Sequence, residues 1–488
     1  MRTSAVAALA ALSAAALASA LAGCSARGGS YELVADPSLM SRLEGLVAAS
    51  PLPPGWSRAE TGIAADAIVE LSVDGGAGLS SRAGTRYLAA AVPIADRRYS
   101  VGPEEARSLG LQPLEAVEPP ERALAVDGRW PGESGYPFVE RLTLSVRRSR
   151  SRNAPFSKRS PLAAWLEAAA AAADVSDLRP VRLAAAGDFQ AAQRHGRLLA
   201  QGEIEALLRG GIVERIRSAD VAAVNFEGVA SARGEPNPRK RFHFRMPPGT
   251  GEALAAAGFD AALLANNHAF DFGEEAFLDT LGELDSAGIP VVGAGRDADG
   301  ASKPAIVAVP SGGRLLFIGF ATYPLESLGF TTVEAAAGAA RPGVNADEAR
   351  TVAAIRAARA AGETVVVLAH GGAEYVARPS AEVRARYARF ADAGAALVLG
   401  GHPHVLQGIA SRGRSLIAYS LGNFLFTGLE EPALSVPSAV VEFLLYDGTA
   451  RGFRIHPVVV GIEYTAPDPD VAGAEARFSR LCAAAASG

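Results

Sequence analysis

The larger part of this 488-residue chain is predicted to be an α/β fold. Three observations predict it. Between about 178 and 464, short apolar β-type runs alternate with helix-period segments, the pattern of parallel strands joined by helices. Five of those runs end in a turn that carries Asp, Glu, Asn or His. The ends of adjacent parallel strands lie close together, so such turns can share one mouth, where α/β sheets place their ligands.

The amino terminus reads as an export leader. Arg2 gives a positive start, residues 5–20 are apolar and Ala-rich, and Leu21-Ala22-Gly23-Cys24 closes the run with small residues. The apolar core is too short for a spanning helix. The last four residues resemble a lipobox, which implies lipidation at Cys24; ordinary secretory cleavage after an Ala is the alternative. Residues 25–55 read as a tether with helical character over 37–49. Residues 56–146 read as an additional α+β domain, with strand-like alternation at 67–73, 86–94 and 138–146. Its 123–146 segment is similar to parts of periplasmic solute-binding domains, but it carries no constellation of reactive groups. In 147–177, the basic Ser-rich stretch 147–159 reads as a solvated linker, with contact to anionic lipid or polymer as the alternative. The Ala-rich helix pattern at 161–173 would bridge into the main domain. Residues 465–488 read as a tail.

Composition narrows the class. A net charge of -5 and a pI near 5.9 argue against a general nucleic-acid surface. There are two cysteines, so a lipidated Cys24 would leave Cys482 without a partner and the fold without a disulfide framework.

Within the main domain the predicted strands and their terminal turns carry the chemistry. Strand 181–186 ends in Gly187-Asp188-Phe189-Gln190, and strand 220–224 in Asn225-Phe226-Glu227-Gly228. Strand 261–264 ends in Ala265-Asn266-Asn267-His268-Ala269-Phe270-Asp271-Phe272-Gly273, before a helix at 274–284. Strand 364–369 ends in His370-Gly371-Gly372-Ala373-Glu374-Tyr375, and strand 395–399 in Gly400-Gly401-His402-Pro403-His404. A run at 416–420 leads to Gly422-Asn423-Phe424. Further helices are expected at 198–209, 251–257, 346–361 and 381–393, and further strands at 290–292, 315–320, 439–446 and 452–460.

Singly, a Gly-Asp or Asn-x-Glu after a strand is a helix cap or a turn, and His370 alone would be a structural histidine. His402 and His404, flanking a rigid proline, are harder to dismiss. Together the groups point to a metal-type site. Carboxylate, amide and imidazole suit borderline or hard cations such as Zn, Mn or Fe, and the lack of cysteine argues against a thiolate centre. Two such ions ~3.5–4 Å apart can clamp phosphoryl oxygens and make a hydroxide near neutral pH. His268 can give or take a proton in that range. His195, His243 and His456 have no such setting and read as structural or surface residues, with substrate contact as the alternative for the first two.

Six motifs in order, from Gly187-Asp188 to Tyr419-Ser420-Leu421-Gly422-Asn423-Phe424, resemble the CapA (PgsA-type) capsule-synthesis family, which is related to calcineurin-like metallophosphoesterases. The resemblance spans roughly 178–460. It implies a metallophosphatase-like α/β/β/α sandwich and a part in making or exporting poly-γ-glutamate. It implies Asp188 as a bridging ligand, with Glu227, Asn267, His370, His402 and His404 completing the set around two divalent ions. His268 would be the general acid that protonates a leaving oxygen, oriented by Asp271. Asn225, Asn266, Glu374, Tyr375 and Asn423 would support the ligands or touch substrate. Metallophosphoesterases usually carry a histidine two residues after the first aspartate; here Gln190 stands there, a weaker ligand. Two function classes follow. One is a metal-dependent hydrolase acting on an anionic cell-surface polymer such as poly-γ-glutamate, anchored to the membrane of the bacterial envelope and working in a capsule-synthesis complex. The other is a non-catalytic polymer-binding or assembly lipoprotein.

Overall fold

The computed structural model describes residues 179–427 apart from 324, 325 and 327, residues 436–486, and residues 79–148 apart from 97 and 120. It also describes 29–35, 67–73, 164–169 and scattered positions from 40 to 58. The leader with Cys24, and the basic stretch beyond Arg148, lie outside the described residues. Those described fall into two compact units, one drawn from Met1–Leu88 and Phe138–Leu178, the other from Ala89–Pro137 and Arg179–Gly488.

In the first unit, Trp56–Arg58, Gly29–Ala35 and Ala67–Val73 pair in parallel, and Val139–Arg148 runs antiparallel between Ala67–Val73 and the start of Leu79–Pro93. Leu33, Val69, Leu71 and Leu144 pack there with Trp165 and Leu166. The described part of the helix expected over 161–173, residues 164–169, buries its apolar face in this first core, and Trp165 donates its indole N–H to the Ser50 carbonyl at 2.5 Å.

The stretch expected as one α+β domain over 56–146 is divided between the units. Its middle, Ala89–Pro137, belongs to the larger one. The reason is visible at Arg122. This side chain is fully buried, donates to the carbonyls of Asp96 and Arg98, and lies 4.9 Å over the Phe453 ring. A buried guanidinium needs such partners, and its contacts to Phe453, over the ring and from Nη1 to the carbonyl oxygen at 3.5 Å, tie the segment to the strand Thr449–Val460.

The larger unit is built on two large sheets, whose strands we number in chain order. The chain lays down β1 (Val181–Gln190), β2 (Val221–Phe226), β3 (Ala261–Leu263) and β4 (Val291–Val292) as parallel neighbours. It crosses to a second sheet of β5 (Ala305–Ala308), β6 (Arg314–Thr322), β7 (Thr364–Gly371), β8 (Leu397–Gly401), β9 (Ile409–Arg412) and β10 (Ser415–Ala418), ordered β5-β6-β7-β8-β10-β9. It then returns with β11 (Asn423–Phe426), which pairs in parallel with β1. β12 (Val436–Tyr446), β13 (Thr449–Val460) and β14 (Thr465–Pro467) complete the first sheet as antiparallel neighbours.

Side-chain alternation explains the layering. In the second sheet Leu315, Phe317, Val366, Leu368, Leu397 and Leu399 join one core with the first sheet. The intervening Leu316, Ile318, Val365, Val367 and Val398 face a helical layer formed by Glu348–Ala360 and Ala381–Asp392. The result is a mixed α/β architecture with mixed sheets, each of whose parallel strands is apolar on both faces, as burial on both sides requires.

Two sequence expectations fail locally. The helix over 198–209 is two short helices, Arg194–Ala200 and Ile204–Leu207, because Gly202 adopts a left-handed φ of 74° that ends the first. The tail at 465–488 is strand β14 plus a helix, Val471–Ala486. Ala474, Phe478, Cys482 and Ala485 form that helix's buried stripe, an amphipathic spacing that its Ala-rich composition conceals.

Candidate metal centre

The strand ends converge as the alternating pattern implies. β1 lies between β2 and β11, and Asp188 is in register with both Asn225 and Asn423. Two glycines make room. A Cβ on Gly187 would sit 1.9 Å from the Gly422 carbonyl oxygen, and one on Gly401 would sit 2.6 Å from Asp188 Oδ1. Neither position tolerates a side chain without moving Asp188 or the strand beside it.

Glu227, just past β2, is the hub. Its Oε1 lies 3.9 Å from Nε2 of His268, of His370 and of His404, and it accepts no hydrogen bond. Its Oε2 shares the Asn225 amide with Asp188 Oδ1, at 3.2 and 2.8 Å. The same Asn225 nitrogen is 3.1 Å from His370 Nδ1, which places the His370 proton on Nε2, 2.9 Å from Asn267 Oδ1. His404 Nδ1 donates to Asn423 Oδ1 at 2.9 Å and is 3.2 Å from Asp188 Oδ2, so its Nε2 points at Glu227. The His402 backbone N–H donates to Asp188 Oδ2 at 3.2 Å, while both His402 ring nitrogens are buried without a partner. His402 and His404 adopt φ of 92° and 58°, a left-handed backbone that costs on the order of 1–3 kcal/mol per residue and accumulates at functional sites.

The electrostatics match this crowding. Burial, then the Asp188 charge, pushes the Glu227 carboxyl well above its usual range. Burial, then neighbouring imidazoles, holds His370 and His402 well below theirs. Burial pulls His404 down too, but Glu227 and Asp188 outweigh it and push it up to about 9. Two carboxylates thus share a buried space with two neutral imidazoles, and three buried polar atoms are left without partners. Leaving such atoms unpaired costs about 1–3 kcal/mol each. A divalent cation is the group that this oxygen-and-imidazole set accepts. One carboxylate or imidazole atom each from Asp188, Glu227 and His404 lie within 4.8 Å of one another, and so do atoms of Glu374, His402 and His404.

Beside this set stands a second arrangement in which each reactive group is held. Asp271 Oδ2 takes a bond from His268 Nδ1 at 2.7 Å and from the Phe244 backbone N–H at 2.6 Å. Lys240, whose side chain is fully buried, donates from Nζ to Asp271 Oδ1 and to the Asn267 carbonyl oxygen. Burial would raise Asp271, but the His268 and Lys240 charges hold it below its usual value. Burial lowers His268 against the pull of Asp271, which favours the neutral ring with its proton on Nδ1 and leaves Nε2 free. The Phe244 ring lies against His268, tilted by 31°, with centroids 4.1 Å apart. Asn266 braces the loop: its amide donates to Asn225 Oδ1 and the Phe226 carbonyl, and its oxygen accepts the His268 backbone N–H.

The structure therefore brings Asp188, Asn225, Glu227, Asn266, Asn267, His268, Asp271, His370, His402, His404 and Asn423 together. Gln190 is turned away from ligation: its amide oxygen accepts from the Thr427 backbone N–H at 2.9 Å and from the Thr427 hydroxyl. Glu374 and Tyr375 are exposed and line a cavity of about 880 Å³ that His268, His404, Phe242 and Arg194 also line. His195, His243 and His456 stay outside the cluster, bonded to Ile462, Asn237 and Glu442 respectively. Sequence reasoning missed Lys240, Phe244 and Glu326, the last of which accepts from Asn267 Nδ2 at 3.0 Å. Lys240 sits within Arg239-Lys240-Arg241, which reads as a solvated basic run, so no local signal announces it.

The profile of the bacterial capsule synthesis protein PGA_cap covers residues 182–428, half of the chain. The chain belongs to this family. It is 32% identical over 257 residues to the PGA biosynthesis protein CapA of Bacillus subtilis strain 168, covering 51% of this chain and 64% of that one. It is 30% identical over 258 residues to the capsule biosynthesis protein CapA of Bacillus anthracis, covering 52% and 61%. The chain thus spans less than two thirds of either relative. A solved structure from Thermus thermophilus aligns at 12% identity and a TM-score of 0.31 over 56% of this chain and 97% of that one, too distant to bear on the fold. The family match ends at residue 428, so β12 to β14 and the last helix lie beyond it.

Proposed function

We propose that this chain is an exported envelope lipoprotein of capsule or poly-γ-glutamate synthesis, anchored through Cys24, whose larger unit is a metallophosphatase-like hydrolase of an anionic cell-surface polymer. The observation that carries the proposal is Glu227 Oε1, unpartnered and equidistant at 3.9 Å from three imidazole nitrogens. Asp188, Glu227, Asn267, His370, His402 and His404 would hold two divalent ions. Bound there, the ions would supply Lewis-acid stabilisation of a developing oxyanion and an activated water.

The chain's own residues do the rest. Asn423 fixes the tautomer of His404 by accepting from its Nδ1, which leaves Nε2 free for an ion. Asp271 holds the His268 proton on Nδ1, and Lys240 anchors both Asp271 and the loop carbonyl at Asn267. His268 lines the cavity, and its Nε2, left without a proton, can take one from water and return it to a leaving group. The capsule and PGA biosynthesis names of the two Bacillus relatives support the polymer class and a synthesis complex as partner. Among the described residues no helix is long and apolar enough to cross a membrane, and the lipid anchor supplies attachment in this reading.

A second reading, a polymer-binding assembly factor without turnover, draws on Gln190, whose oxygen is committed to Thr427. Elemental analysis of the purified protein, followed by assays on a generic phosphodiester and on a γ-glutamyl peptide, separates the two. Metal together with turnover, both lost in His404→Ala, supports the hydrolase. Metal without turnover on either substrate, with the fold intact, leaves the binding factor.

A further inference from the structure

The unpartnered donors of the centre do not all face inward. His402 is 2% exposed, and neither of its ring nitrogens has a hydrogen-bond partner. Glu374, on the turn after β7, is exposed and shares the wall of the large cavity with His404, whereas Asp188 and Glu227 do not reach that wall. The turn is pinned between the two histidines: the Tyr375 N–H donates to the Pro403 carbonyl at 2.8 Å. One oxygen of Glu374, one nitrogen of His402 and one of His404 consequently lie within 4.8 Å of one another. An ion bound to nitrogen and oxygen at about 2.0–2.2 Å in tetrahedral geometry sets its ligand atoms roughly 3.4 Å apart. The remaining contraction is within reach of an exposed Glu that changes rotamer.

We infer that Glu374 is itself a metal ligand, the cavity-facing carboxylate that holds an outer ion with His402 and His404. The inner carboxylates, Asp188 and Glu227, are fully buried and do not line the cavity, whereas Glu374 and His404 do. The outer set opens onto the cavity, which leaves a coordination position for a phosphoryl or carboxylate oxygen of the substrate. The outer ion is held by one exposed ligand, so it is the weaker of the two. The inference rests on the metal reading above and adds to it the ligand and the ion that substrate meets.

The full-length protein, stripped with a chelator and titrated with Co²⁺, tests it by calorimetry and visible absorption. The expected result is two ions on the wild type. Glu374→Gln should keep the tighter ion and bind the weaker one at least tenfold less well, with its share of the cobalt absorption lost. An unchanged melting temperature of the metal-free variant checks that the fold is intact. Wild-type affinity for both ions in Glu374→Gln would overturn the inference while leaving the metal reading standing. No ion on the wild type would overturn both.

Discussion

Glu442 on β12 and Glu227 past β2 are both buried carboxylates facing histidine in the same sheet. At Glu442 the protein supplies the cations. Arg454 donates at 2.7 and 3.1 Å, His456 lies at 3.0 Å, and Arg182 stands 4.0 Å from the other oxygen. Burial alone would raise the Glu442 carboxyl; the His456 hydrogen bond and the Arg454 charge hold it at about 2. At Glu227, among the described residues, no guanidinium or ammonium lies within 4.0 Å; three imidazoles do. There burial wins, and the carboxyl is held well above its usual range. Sheet and residue types are the same, and the difference is the source of positive charge. Where the chain provides it, the cluster is structural. At Glu227 the chain offers only the His404 imidazole, raised to about 9, and the carboxyl still stays above its usual range, which is the setting we propose for an external cation.

The comparison can be broken at either end. The largest effect is expected at Glu442. Glu442→Gln leaves Arg454 partly buried without its carboxylate, which costs about 3 kcal/mol, read by urea unfolding, with metal binding unchanged. Unaltered stability would remove the structural half of the contrast. Glu227→Gln should do the reverse: Mn²⁺ affinity, measured by calorimetry, falls by about 100-fold or more, beyond the cost of losing an outer support. Metal-free stability should hold or rise, because a buried carboxylate beside Asp188 is gone. A stability loss equal to that of Glu442→Gln would place Glu227 among the structural ion pairs.

The pH dependences run in opposite windows. Glu442, lowered to about 2, contributes stability above pH ~4.5 that is lost as pH falls towards 2. His404, raised to about 9, contributes to the metal-free state below pH ~6.5, and that contribution is lost as pH rises through 9. Metal must displace that proton, so apparent affinity should climb up to about tenfold per pH unit between 6.5 and 9. A flat profile there would show that His404 is not a ligand. The smallest effect is expected from Asn423→Ala, which frees the His404 tautomer and should weaken metal by about tenfold.

Much of the candidate centre was legible in sequence because each of its residues stands at or just past the end of a strand. Asp188, Asn225, Glu227, Asn267, His370, His402 and His404 all follow short apolar runs, and parallel pairing alone gathers such ends. The groups that hold the ligands were less legible. Lys240 reaches Asp271 from an irregular loop with no period, and Glu326 reaches Asn267 from 59 residues away. Contacts of that kind are set by tertiary packing, which leaves no trace in local spacing. Gln190 shows the converse. Its place two residues after Asp188 suggested ligation, but Thr427 offers its amide oxygen two donors and takes it. The last helix was missed for a different reason: its stripe of Ala474, Phe478, Cys482 and Ala485 is periodic but only weakly apolar.

The central claim is that Glu227 waits for an external cation. It is tested most directly by the divalent metal content of the purified full-length protein and of Glu227→Gln, measured side by side after equilibration with Mn²⁺ and dialysis. The account predicts about two ions per chain in the wild type and loss of at least one in the variant, with Glu442→Gln keeping both. A wild type that retains no ion, or a Glu227→Gln variant that retains as many as the wild type, would contradict it.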